Sequence, residues 1–270
     1  MKAWIISDIH ESRLARFFRD PPKAPKADIC ICAGDLTDFI EDSVAYIRRV
    51  IEPRMPVVLV LGNHDYFGHS ISGALERARR LVEGSRIHLL ENDTVTIGDC
   101  RFIGATLWTD FAVSIGDDEH IQPEERRVKA LELVPSRILD FECIFRSDPR
   151  KIDENGMVTA WEILERHRES RKFIDRELSL DYLGRTVVVT HHAPLMQSFD
   201  PAFFGNVTNA AFASDLSDLI MRRRPSVWIH GHIHKFRDYM ADHTRIICNP
   251  LGQRRELYTS GFRPGFTIDL

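Results

Sequence analysis

Positive charge is not in excess in this chain: 36 lysines and arginines stand against 40 aspartates and glutamates, a formal net charge of −4. The polycationic footprint of a DNA- or RNA-binding protein is missing, so long nucleic acid is not an expected substrate. Cysteine is sparse. The 5 cysteines show no paired zinc spacing, Cys30 and Cys32 flank one residue of an apolar segment, and no disulfide framework is suggested. An odd, scattered set favours a reducing compartment. No stretch reaches the ~18 apolar residues of a membrane span. The opening run Ala3-Trp4-Ile5-Ile6 is too short for a signal peptide and is cut by Asp8. Internal repeats, low-complexity tracts and long linkers are also lacking. These absences lead to the expectation of a soluble cytoplasmic protein with no membrane partner. A chain of 270 residues, 43% of them hydrophobic, is long enough for a sizeable core.

What is present is a repeated grammar of apolar strand followed by polar turn. Val57-Val58-Leu59-Val60-Leu61 reads as a strand buried on both faces. Gly62 stops it, and Asn63-His64-Asp65 deliver an amide, an imidazole and a carboxylate, all able to bind a metal or a phosphate. Ligands in open α/β sheets bind beyond the carboxyl ends of the strands. Ala3 to Ile6 is a shorter strand, followed by Asp8 and His10, which lie two apart and so share a side of an extended backbone. Asp28 to Ala33 is closed by Gly34-Asp35-Leu36-Thr37-Asp38. Thr186 to Thr190 leads into His191-His192-Ala193-Pro194. Val227 to His230 leads into Gly231-His232-Ile233-His234, where His232 and His234 can again face one way.

Helical spacing predicts helices over Phe39 to Glu52, with Phe39, Val44, Ile47 and Ile51 on one face, over Ser72 to Glu83, over Ala211 to Met221, and a short one over Glu11 to Asp20. Ile87 to Leu90, Thr94 to Ile97 and Arg101 to Ile103 read as short strands of a meander or hairpin. Ile246 to Pro250 and Phe266 to Leu270 read as the final strands. From Phe111 to Gly184 charge density rises, no strand stands out, and Pro123, Pro135 and Pro149 interrupt helical spacing. The clearest helix there runs from Thr159 to Ser179, with Trp161, Leu164, Ile174 and Leu178 on a stripe that His167 and Arg171 share. Those two are either structural, snorkelling or ion-paired, or they border a substrate pocket. The whole region reads as a helical insertion within a single domain spanning residues 1–270.

Acids and imidazoles that recur after buried strands are hard to explain by stability. Burying so many charges without a counter-ion would cost several kcal/mol per ion. A metal centre removes the difficulty. Its ligands would be mixed oxygen and nitrogen with no thiolate, which favours Mn, Fe, Zn, Co or Ni over calcium or magnesium. The candidates outnumber what one ion needs, so two divalent transition-metal ions, roughly 3.5–4 Å apart and sharing a carboxylate, fit better.

In order, Asp8-x-His10, Gly34-Asp35-x-x-Asp38, Gly62-Asn63-His64-Asp65, His191 ahead of His192-Ala193-Pro194, and Gly231-His232-x-His234 resemble the five motifs of the calcineurin-like metallophosphoesterases. The resemblance implies a four-layer α/β/β/α sandwich of two mixed β-sheets. It implies that Asp8, His10, Asp35 and His234 hold one ion, and Asp35, Asn63, His191 and His232 the other, with Asp35 bridging. His64 would contact the phosphate or protonate the leaving oxygen, and Asp38 would orient it. His192 would stand behind the ligands. A divalent ion can lower the pKa of bound water to about 7, so the implied reaction is in-line attack of hydroxide on a phosphoester.

Two departures narrow the substrate. Serine/threonine protein phosphatases of this family carry arginine and glycine after the second aspartate of the second motif, where this chain has Phe39-Ile40. They end the third motif in glutamate, where this chain has Asp65. The Asp65 form resembles the cyclic-nucleotide, glycerophosphodiester and nuclease branches. The expected activity is hydrolysis of a small phosphoester, leaning to phosphodiesters. The alternatives are a nuclease and an inactive scaffold, the latter disfavoured because every ligand position is filled.

Overall fold

The computed structural model describes residues 1–11, 22–114, 118–147, 156–256 and 258–270. Among the described residues, eleven strands form two sheets. The first runs β11-β1-β2-β3-β4, built from Lys2–Ile6 (β1), Ile29–Cys32 (β2), Val57–Leu59 (β3), Ile87–Leu89 (β4) and Thr267–Asp269 (β11). The second runs β5-β6-β7-β8-β10-β9, built from Asp93–Ile97 (β5), Cys100–Ala105 (β6), Arg185–Thr190 (β7), Val227–His230 (β8), Arg237–Ala241 (β9) and Thr244–Cys248 (β10). Both are mixed. Strands β1 to β4 are mutually parallel and β11 is antiparallel to β1. In the second sheet β6, β7, β8 and β10 are parallel, with antiparallel β5 and β9 at the edges.

Alternation along each strand sets the layers. Ile5, Ile31, Val58 and Val60 meet Phe102, Val187, Val189, Ile229 and Ile247 between the sheets. The opposite face of the first sheet, with Trp4, Ile6, Cys30 and Leu59, is covered by helices Ile40–Val50 (α1) and Ile71–Val82 (α2). The opposite face of the second, with Ile103, Val188, Trp228 and Ile246, packs on Ile174 of helix Ala160–Leu178 (α3) and on Leu219 and Ile220 of helix Ser217–Arg223 (α4). This is the expected α/β/β/α sandwich. Sheets covered on both faces explain why the strands read as unbroken apolar runs.

Several expectations are corrected. The three short strands after α2 are not one meander. β4 continues the first sheet in parallel with β3, and only β5 and β6 form a hairpin, turned at Gly98-Asp99. The helix expected over Ala211 to Met221 starts later, at Ser217. Residues before it are drawn into the turn after β7, where Ser214 N–H donates to Ala193 O at 3.1 Å and Leu216 N–H to Pro194 O at 2.9 Å. Phe39 precedes α1 and is exposed rather than on its buried face. Trp161 is exposed too, and the buried stripe of α3 is Ile163, Leu164, His167, Ser170 and Ile174. Edge strand β9 gave no sequence signal of its own. The helix expected over Glu11 to Asp20 falls on residues 12–21, outside the described residues.

Of the two readings for His167 and Arg171, the contacts are structural. Arg171 pairs with Asp218 of α4 at 3.0 Å. His167 is buried, with Nδ1 3.4 Å from Trp108 O, and burial lowers its pKa despite Asp110 nearby. Below pH ~6.5 the unfolded chain therefore takes up a proton at this position that the folded chain resists, and stability falls as pH falls. Urea midpoints at pH 7.5 and 5.5 are expected to diverge less for His167→Gln than for the native protein. An equal divergence would show that His167 is not held neutral.

Candidate metal centre

The parallel strands of both sheets end on one edge, and there the chain leaves regular structure in a strained way. Asp8, His10, Asp35 and His232 all have left-handed backbone, with φ of 51, 47, 54 and 65°. Such conformations cost non-glycine residues about 1–3 kcal/mol and persist only where surroundings dictate them. Here the ladders extend past the strands: Asp8 N–H donates to Gly34 O at 3.0 Å, His10 N–H to Asp35 O at 3.1 Å, and Gly231 N–H to His191 O at 3.0 Å. A parallel bridge between Ser7 and Pro250 ties the two sheets at this edge.

Three groups have their potential ligand atoms within 4.8 Å of one another: two clusters with a buried carboxylate, Asp8, His10 and His234, and Asp35, His191 and His232, and a less buried group of His10, Asp38 and His64 that shares His10 with the first. In the first, His10 Nε2 lies 3.1 Å from His234 Nε2, and His234 Nε2 lies 3.5 Å from Asp8 Oδ1. In the second, His191 Nε2 lies 3.2 Å from His232 Nδ1, 3.0 Å from Asn63 Oδ1 and 3.3 Å from Asp35 Oδ2. Asp8 also accepts the His232 N–H at 3.0 Å, and Asp35 accepts the His64 N–H at 3.0 Å. His191 Nδ1 donates to Ala33 O at 2.7 Å, which leaves Nε2 for the cluster.

The electrostatics follow from burial. Asp8 and Asp35 are shut off from solvent, which by itself opposes their charge, yet the surrounding imidazoles hold both carboxyls below the usual range. Burial also opposes charge on His191 and His234, but Asp35 keeps His191 up at about 9, and Asp8 with Glu256 keeps His234 up at about 10. Their partners go the other way: burial pushes His10 down to about 4 and His232 well below its ordinary value. Each facing pair of nitrogens thus shares one proton between two lone pairs. A divalent ion would accept both, so the oxygen and nitrogen donors fit two such ions.

The other expected residues fall into place beside these clusters. His64 Nδ1 is 3.0 Å from Asp38 Oδ1, and the His64 ring stacks on Phe67 with centroids 4.3 Å apart. The same ring stands 4.7 Å from that of His10, at the rim of the first cluster. Burial lowers the His64 pKa, but Asp35 and Asp38 outweigh it and raise it overall. Asp65 turns away from both clusters. Its Oδ2 accepts from Gly62 N–H at 2.9 Å and Asp35 N–H at 3.1 Å, so it locks two of the turns together. His192 packs its ring 4.3 Å from His232 and 5.2 Å from Trp108, with Nδ1 3.2 Å from Thr106 O. His230 ends β8 and faces Ser198 Oγ at 2.8 Å, away from the clusters.

Two contacting residues escaped the sequence reading. Asp140, in the short helix Asp140–Cys143, accepts a hydrogen bond from Asn63 Nδ2 at 2.7 Å. Glu256 Oε2 lies 2.7 Å from His234 Nδ1. Glu256 is one more charge in a polar turn, and Asp140 lies in an apolar segment that follows no strand, so no spacing marks either.

The sequence description of calcineurin-like phosphoesterases matches residues 1–236. The chain belongs to this family. It is therefore a metal-dependent phosphoester hydrolase, and the family's two-metal requirement matches the paired donor clusters. A mimivirus relative, uncharacterized protein L509 of Acanthamoeba polyphaga mimivirus, is 26% identical over 254 residues, 88% of this chain and 82% of that protein. The crystal structure of phosphopantetheinyl hydrolase from Mycobacterium tuberculosis superimposes with a TM-score of 0.66 at 18% identity, covering 94% of this chain and 90% of that one, and shows the same fold. A dimetal phosphatase from Danio rerio superimposes more loosely, at a TM-score of 0.47 and 14% identity over 92% of this chain and 86% of that one.

Close approach at this phosphoesterase centre depends on glycine. A Cβ on Gly62 would collide with the Asp35 carboxylate and come within 2.6 Å of His191 Cε1. Overpacking of this kind costs about 1–3 kcal/mol, and here the atoms displaced belong to two residues of the second cluster. Gly62→Ala is expected to lower the melting temperature and to strip divalent ions from protein reconstituted with Mn. Elemental analysis alongside a thermal melt checks this; unchanged metal content would mean that the turn can relax without moving Asp35.

Proposed function

We propose that Asp8, His10, Asp35 and His234 hold one divalent ion and Asp35, Asn63, His191 and His232 the other, with Asp35 bridging, for hydrolysis of a small phosphoester. What carries this reading is the pairing of donor clusters on one sheet edge with the His64–Asp38 pair at their rim. When bound, such ions supply a nucleophilic water at neutral pH and offset charge on the phosphoryl oxygens. The protein's own groups do the rest. Asp38 accepts the Nδ1 proton of His64 and fixes the ring, and together with Asp35 it favours the protonated imidazole, the form that can give a proton to the departing alkoxide.

Phosphodiesters are the favoured class. Phe39 lies exposed where protein phosphatases carry arginine, and Asp65 serves as a brace between turns. We assign residues 111 to 184 to shaping the substrate pocket within one domain. Purified protein with Mn is to be screened against phosphomonoesters, cyclic nucleotides, glycerophosphodiesters, dinucleotides and a phosphopantetheinyl diester. Turnover confined to monoesters would reject the diester preference.

His64 has its own test. General acid catalysis is typically worth about 10²–10⁴-fold. His64→Ala is expected to lose nearly that much on an alkyl phosphoester and far less on a nitrophenyl ester, whose phenolate departs without a proton. Metal content should stay native. Equal losses on the two esters would make His64 a phosphate-positioning group instead.

A further inference from the structure

Glu256 and Asp140 solve one problem for two different ligands. An imidazole coordinates through one nitrogen only when its proton sits on the other. Glu256 accepts the His234 Nδ1–H at 2.7 Å, which turns His234 Nε2 toward His10 Nε2, 3.1 Å away. Glu256 is itself fixed by Gln253 N–H, which donates to the same oxygen at 2.8 Å. A carboxamide coordinates through oxygen only when its nitrogen is turned away. Asp140 accepts from Asn63 Nδ2 at 2.7 Å, which aims Asn63 Oδ1 at His191 Nε2, 3.0 Å away. His191 needs no such side chain, because the Ala33 carbonyl fixes it.

We propose that Glu256 and Asp140 are positioning residues for the metal centre, one for each ion: Glu256 for the ion of the His10–His234 cluster, Asp140 for that of the Asn63–His191–His232 cluster. This rests on the two-ion reading above. The two carboxylates come from unrelated parts of the chain, one in the C-terminal turn past the matched residues 1–236 and one in the helical stretch before α3. The affinity of each ion is thereby set separately, by residues outside the five motifs.

The test is titration of MnCl2 into metal-stripped full-length protein, followed by calorimetry and by ion counting after gel filtration. Native protein should hold two tight ions. Glu256→Ala and Asp140→Ala should each keep one and weaken the other about 10–100-fold, and the double variant should keep none. Glu256→Gln, which retains an acceptor oxygen, should fall between native and Glu256→Ala. The swap Asn63→Asp with Asp140→Asn reverses the hydrogen bond and still leaves an oxygen on the cluster side, so it should restore the second ion. If Asp140→Ala fails to fold, Asp140→Asn alone, in which Asn63 is free to flip, takes its place beside the swap. Native affinity for two ions in both single variants would overturn the proposal. So would a double variant that retains one tight ion, since both carboxylates would then act on the same site. A swap that folds but stays at one ion would remove Asp140 from it. Native protein that binds fewer than two ions would sink the two-ion reading itself.

Discussion

Two carboxylates without access to water, Asp8 and Asp35, impose the arrangement around them. A buried charge costs several kcal/mol unless it is paired and hydrogen-bonded. Backbone N–H groups of His232 and His64 answer part of that cost, and the imidazoles of His234 and His191 answer more. The remainder explains why both sheets converge here. No single strand end carries enough nitrogen and backbone hydrogen to hold these oxygens, so the first sheet brings the acids and the second brings most of the imidazoles.

That division was legible in the sequence because of how parallel sheets are built. A strand covered on both faces must be apolar throughout, so the polar group after Ile6, Ala33, Leu61, Thr190 or His230 stands out against its strand. The clusters' residues follow from that contrast, whereas the layer order was implied by the resemblance to the family. Asp140 and Glu256 were illegible for the opposite reason. Glu256 sits in a polar turn where one more carboxylate means nothing, Asp140 sits among apolar residues but behind no strand, and only the fold brings them against His234 and Asn63. Tertiary pairing also overrode local signal at Ser214 and Leu216, whose N–H groups were claimed by the turn after β7 before a helix could use them. Trp161 shows the limit of periodicity, since a large apolar residue at the right spacing still lies on the exposed side of α3.

Strain has the same origin as the charge. Asp8, His10, Asp35 and His232 take backbone angles that suit glycine, yet only these side chains could supply the donors. Gly34 and Gly62 provide the room that the strained residues need, since a Cβ on Gly34 would lie 2.5 Å from Gly62 N and 2.7 Å from His191 Nδ1. Stability is thus concentrated in the sheets and spent at their edge, the pattern expected where geometry is fixed for chemistry.

The hydrogen bond from His232 N–H to Asp8 spans 224 residues of chain. On a growing polypeptide, Asp8 therefore emerges long before the backbone N–H that answers it, and Asp35 well before His191. Loops of that length close slowly, and until they do the two carboxylates are better off hydrated than buried. The N-terminal strands cannot settle into their final burial until the second sheet is nearly complete. Completion of the centre is in this sense a late event for the N-terminal strands, whose buried acid waits for a partner supplied near the far end of the chain.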